Sequence, residues 1–119
     1  MSLRKLKAKH DEKMKSKLPP EVVSKLIGDS ALVVDVRSKI EAAIGIAPGA
    51  TNIPLSALKR RMDELPRDRN IVLYCGTGAR AGKAREILDA KGLKAFNGGG
   101  YKDVLKILEG AGKTPQARG

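Results

Sequence analysis

Cys75 is the only cysteine in the 119-residue chain, and it opens the run Cys75-Gly76-Thr77-Gly78-Ala79-Arg80. The residues before it, Ile71-Val72-Leu73-Tyr74, read as a strand, and Ala81 to Lys91 read as a helix with Ala84, Ile87 and Leu88 inward. A strand, a glycine-bearing loop and a helix turn successive backbone N–H groups toward one point above the helix N-terminus, and that point is an anion site. A sulfur at the loop's first position would sit among those amides, the helix dipole and Arg80, all of which favour thiolate over thiol. Gly76 and Gly78 leave room for a close backbone turn, at least one of them at positive φ. The chemistry this suggests is attack by Cys75 on a sulfur donor. The product would be a persulfide whose outer sulfur is negative and held by the same amides. Arg80 has a planar fork suited to two oxygens of an incoming thiosulfate. No general base, metal or cofactor enters this scheme, and the one histidine, His10, lies in a basic arm away from it. A lone cysteine can also be no more than a small buried apolar residue. The two glycines, the arginine and the strand-to-helix junction together favour the chemical reading.

The elements that must position this loop can be read on either side of it. Residues 1–17 carry seven basic and two acidic side chains and few apolar ones, so they are expected to form a solvated arm outside the core. Residues 18–109 form the expected domain, and the tail 110–119 has no apolar period. Pro19-Pro20-Glu21 opens a helix with Val22, Val23, Leu26 and Ile27 available to face inward, closed by Gly28-Asp29. Ala31-Leu32-Val33-Val34-Asp35-Val36 follows as a continuous apolar run of central-strand length. Glycines and prolines between Ser38 and Pro54 suggest a loop with a brief strand at 50–53. Ser56 is expected to cap a helix carrying Leu58, Met62 and Leu65 and ending at Pro66. A strand at 94–96, a turn at Gly98-Gly99-Gly100 and a helix with Val104, Leu105 and Leu108 complete the domain. Strands alternating with helices imply an α/β fold, a parallel sheet covered on both faces, with ligands at the carboxyl ends of its strands. Cys75 stands at such an end.

With these residues in view, the chain resembles the single-domain rhodaneses, the thiosulfate sulfurtransferase family, over about residues 19–108. Beside the Cys75 loop, the resemblance rests on Asp35-Val36-Arg37, Glu41, the run Gly45-Ile46-Ala47-Pro48-Gly49-Ala50-Thr51-Asn52-Ile53-Pro54, and Asn97 followed by Gly99-Gly100. Gly82 to Leu88 and Lys102-Asp103 look most like the small phage-shock-type bacterial members. The resemblance implies a three-layer sandwich around a parallel sheet of about five strands and a persulfide on Cys75. It further implies substrate contacts from Gly76, Thr77, Gly78, Ala79, Arg80 and Ala81, with Asp35, Arg37 and Glu41 supporting the site and Arg37 paired to Glu41. Thiosulfate or a similar donor and a cyanide, small-thiol or thiol-protein acceptor would be its partners, in a monomer. Two positions depart from the pattern: Ile46 stands where a histidine is common, and Ala42 where an aromatic is common.

The formal net charge is +11, which favours anionic partners without naming one. With no Trp, one Phe and two Tyr there is little material for a base-stacking platform, so nucleic acid is not expected. No apolar stretch approaches the length of a membrane span, and the basic N-terminus has no apolar segment behind it. A cytoplasmic protein is therefore expected, with the periplasm as the alternative, since phage-shock-type members are exported. Cysteine phosphatases and arsenate reductases use a similar loop with the arginine one residue farther on, and the Cys-x4-Arg spacing here argues against them. A carrier that is loaded by a protein partner would use the same cysteine and is the alternative to an enzyme turning over free thiosulfate. Gly76 and Ala79 present no side chain to a substrate, so specificity would fall to Arg80, the loop amides and a basic rim of Lys83, Lys102 or Arg60.

Overall fold

The computed structural model describes residues 17–111. The expected arm, apart from Lys17, and the tail beyond Ala111 lie outside the described residues, as does His10. Helix α1 (Pro20–Gly28) has proline at its start, Glu21 in its first turn and Lys25 in its last, each matched to the local helix dipole. Strand β1 (Leu32–Asp35) follows, then α2 (Lys39–Ile44), β2 (Thr51–Asn52), α3 (Leu55–Arg61), a 3-10 turn (Met62–Glu64), β3 (Ile71–Cys75), α4 (Ala79–Asp89), β4 (Ala95–Gly100) and α5 (Tyr101–Gly110). The four strands form one parallel sheet in the order β2-β1-β3-β4.

Burial explains why β1 and β3 read as unbroken apolar runs. Along β3, Ile71, Leu73 and Cys75 join Val34, Leu58, Ala84 and Leu88 on one face of the sheet. Tyr74 joins Val33, Val104 and Leu108 on the other, and Val72 packs with Val23 of α1. A strand covered on both faces has no solvent side to make polar. Cys75 thereby ends a fully buried strand, with α4 starting four residues later.

The α/β architecture with a parallel sheet is as expected; among the described residues the sheet has four strands, close to the five or so expected. Along the outer edge of β4, the Leu18 N–H donates to the Asn97 carbonyl at 2.9 Å. Pro19 and Pro20 follow at once and have no N–H to extend the pairing. Four further expectations are corrected. The segment expected as loop after Ser38 holds α2, capped by Ser38, whose hydroxyl accepts from the Glu41 N–H while the Glu41 carboxylate reaches back to the Ser38 N–H. Helix α3 starts at Leu55 after Pro54 without a side-chain cap, so Ser56 lies inside it, and it gives way to the 3-10 turn well before Pro66. Gly98, Gly99 and Gly100 continue β4 instead of turning: Leu73 pairs with Asn97 and Cys75 with Gly100, so Gly98 and Gly99 form a bulge opposite Tyr74. Gly110, assigned to the tail, closes α5.

Candidate active site

Cys75 is fully buried, and its sulfur lies under the loop that follows it. The Gly78 N–H donates to Sγ at 2.9 Å and the Ala81 N–H at 3.3 Å. This aim depends on Gly78, which caps α4 with φ +108°, a backbone region where a side chain is strained. The loop is then held from two sides. Asn97, buried in β4, donates through Nδ2 to the Gly78 carbonyl at 3.0 Å and accepts through Oδ1 from the Gly99 N–H at 2.9 Å. Gly100 lies directly beneath the loop: a Cβ there would come 2.5 Å from the Gly76 carbonyl oxygen.

Arg80 does not stand free at the mouth. Its two terminal nitrogens donate to the two Glu41 oxygens at 2.8 and 3.1 Å. Those hydrogen bonds, against the effect of burial, hold the Glu41 carboxyl down at about 2, with help from Ser38. The same pairing raises the Arg80 guanidinium. The expected Arg37–Glu41 pair is therefore replaced by Arg80–Glu41, because Arg37 turns inward. Burial alone would lower the Arg37 guanidinium, but its bonds to Asp35 at 2.7 to 3.1 Å outweigh that and leave it raised. Arg37 also donates to the Gly45 carbonyl at 2.6 Å and lies 4.4 Å from the centre of the Tyr101 ring.

Tyr74 completes this buried cluster. Its hydroxyl donates to Asp35 at 2.7 Å and accepts from the Ala47 N–H at 3.0 Å, and burial, reinforced by Asp35, raises it far above an ordinary phenol. Asp35 and Arg37 thus brace the chain after β1 instead of facing the sulfur, and Asn52 extends the brace by donating to the Asp35 and Arg37 carbonyls at 2.9 and 3.0 Å. Tyr74 and Asn52 were not singled out from the sequence. Tyr74 is the one polar side chain in an apolar run, which was the available signal. Ala42 and Ile46, the two departures, are both buried in the cluster against which Tyr101 packs.

Two grooves flank the loop. One, of about 460 Å³, runs along Thr77, Gly78 and Ala79 between Lys17, Lys83, Glu86 and Asn97. The other, of about 350 Å³, lies between Arg80, Val36, Ser38 and the Pro54–Ser56 segment. Lys83 of the expected rim lines the first; Arg60 and Lys102 line neither. Among the described residues no group of three His, Cys, Asp or Glu could hold a metal ion, and no helix is long and apolar enough to cross a membrane.

A family model for the rhodanese-like domain matches residues 19–112, which contain the Cys75 loop, Asp35, Arg37, Glu41 and Asn97. The chain belongs to the rhodanese-like domain family. This rhodanese-like chain is 36% identical over 81 residues to a sulfurtransferase of Allochromatium vinosum, covering 66% of this chain and 76% of that protein. It is 36% identical over 74 residues to the thiosulfate sulfurtransferase PspE of Escherichia coli, covering 60% and 71%, in line with the resemblance to phage-shock-type members. A rhodanese-related protein from Thermoplasma volcanium has a solved structure that superposes with a TM-score of 0.66 at 26% identity, covering 85% of this chain and 97% of that one. Family and relatives together support sulfur transfer as the activity of this rhodanese-like chain.

Proposed function

We propose that this rhodanese-like chain takes sulfane sulfur from thiosulfate, or a donor of similar chemistry, onto Cys75 and passes it to a thiophilic acceptor such as cyanide or a thiol. The observation that carries this reading is the convergence of the Gly78 and Ala81 N–H groups on the buried Cys75 sulfur. Donors fixed at that point would stabilise negative charge first on the thiolate and then on the persulfide, without reorganising between the two. In the first step the Cys75 thiolate attacks the outer sulfur of thiosulfate. A new S–S bond forms to Cys75, the S–S bond of thiosulfate breaks, and its electron pair leaves with sulfite. In the second step the acceptor attacks the outer sulfur of the persulfide and the thiolate is restored. The amides of Gly76 to Ala81 bind the substrate, Arg80 takes up its anionic end, and Asp35, Arg37 and Glu41 keep the surrounding chain in place.

Intact mass before and after exposure to thiosulfate tests the reading. The native chain should gain one sulfur atom that cyanide removes, and Cys75→Ala should gain none. A native chain that gains no cyanide-labile sulfur would refute it. A second reading, delivery to a protein thiol, draws on Ile40 and Ile44, which are 76% and 79% exposed on the helix that carries Glu41. An apolar pair one helical turn apart suits contact with another protein. Replacing both by Ser should then slow transfer to a protein thiol while leaving transfer to cyanide unchanged; equal effects on both acceptors would remove this second reading.

A further inference from the structure

The Arg80 fork is occupied. Both terminal nitrogens are bonded to Glu41, oxygen for nitrogen, in the geometry a sulfonate would itself adopt. The pair lies over the start of the loop, since a Cβ on Gly76 would stand 3.1 Å from the Arg80 Nη2 and 4.0 Å from the Glu41 Oε2. Glu41 is fixed there independently of Arg80: its oxygen also accepts from Ser38 Oγ at 3.1 Å and the Ser38 N–H at 3.3 Å, and its helix is capped by that arrangement. With its carboxyl held at about 2, it stays negative at any ordinary working pH. A dianionic donor approaching the loop therefore meets a neutralised arginine and a carboxylate of its own sign.

We propose that Glu41 is a specificity-determining residue which sets how strongly the loop accepts donors with an anionic head group. Thiosulfate must displace the carboxylate from Arg80 to use that side chain. An organic hydropersulfide without an anionic head needs no such exchange, and gives its outer sulfur to the Cys75 thiolate while its own thiolate leaves. Discrimination by an opposing charge costs the disfavoured ligand affinity without adding contacts for the favoured one. The inference rests on the thiosulfate reading for its choice of donor, and the measurements separate the two.

Thiosulfate binding is compared by calorimetry in Cys75→Ala and in Cys75→Ala carrying Glu41→Gln, where no turnover complicates the titration. Gln keeps the reach toward Ser38 but gives up the charge, and the doubly substituted chain should bind thiosulfate roughly three- to tenfold more tightly. With Cys75 present, Glu41→Gln should raise kcat/KM for thiosulfate and leave that for the hydropersulfide of 2-mercaptoethanol, whose head is an uncharged hydroxyl, within about twofold. Should Glu41→Gln fold poorly, the Glu41 carboxyl 13C resonance of Cys75→Ala is followed during thiosulfate addition and should move as Arg80 is surrendered. Equal or weaker binding after Glu41→Gln, or a carboxyl resonance indifferent to thiosulfate, overturns the proposal, since Glu41 would then orient Arg80 and not compete for it. A native chain that forms no persulfide overturns the thiosulfate reading instead, and leaves the binding comparison to decide the role of Glu41.

Discussion

The Asn97 carboxamide bonds the carbonyl of the very residue whose N–H points at Sγ. Asn97→Ala would free Gly78 and leave the buried Gly99 N–H without that acceptor, so the amide aimed at sulfur would lose its definition. The expected outcome is a persulfide formation rate lowered by about tenfold or more, since one preorganised donor is commonly worth that much or greater. Single-turnover kinetics with thiosulfate check this, and an unchanged rate in a folded variant would show that the loop holds itself. Tyr74 makes the contrasting case. Tyr74→Phe removes the acceptor for the Ala47 N–H and one donor to Asp35, all buried, at a cost of about 1–3 kcal/mol in unfolding free energy. Because this hydroxyl braces the β1 side and not the sulfur, urea unfolding should shift while persulfide formation changes little.

The sharpest dependence between elements is that of the Cys75 loop on the last strand. β4 carries its bulge where the loop passes, and Gly100 contacts the Gly76 carbonyl so closely that any side chain must move one of the two backbones. Gly100→Ala should therefore lower the thermal midpoint and slow persulfide formation together, whereas Gly28→Ala, with open space around it, should leave persulfide formation alone. Thermal unfolding and single-turnover rates on the two variants check the contrast. This close approach is also why the sequence misled at that point. Three glycines in a row break any local strand preference and read as a turn, because what requires them is a neighbour some twenty residues earlier in the chain. β1, β3 and α4 were legible because their apolar periods record burial on one or two faces, which is a local signal. Helix α2 was not: it has six residues, Ile40 and Ile44 face solvent, and only the Ser38 to Glu41 spacing announced it.

Across the whole molecule the same contrast holds for charge. The Cys75 loop, its glycines and its arginine were visible in one short run, but the partner of that arginine depended on where the fold sets α2 relative to the start of α4, and the family resemblance pointed to Arg37 as the partner of Glu41. Arg37 is taken by Asp35 in the interior, so Glu41 is left to Arg80 at the surface. The Arg80–Glu41 pair ties α2 to the loop, and its acid dependence follows from the sign of the shift. Glu41 sits at about 2 in the folded chain against 4.5 for an ordinary glutamate, so its contribution to stability is complete above about 4.5 and is lost as pH falls through about 2. Other paired carboxylates contribute to acid unfolding as well, among them Glu64, which is lowered by Arg61, and an acid unfolding curve of the native chain alone would blend them. They are common to the native chain and Glu41→Gln and cancel in the difference. The gap between the two unfolding midpoints should be constant from neutral pH to about 5, narrow steadily below 4.5 and close near 2. Because both side chains are partly exposed, the gap should be modest and should shrink in high salt at neutral pH. A gap that ignores both acid and salt would mean that Glu41 acts through its bonds to Ser38 as a helix cap, and that the charge facing Arg80 contributes nothing to holding the loop.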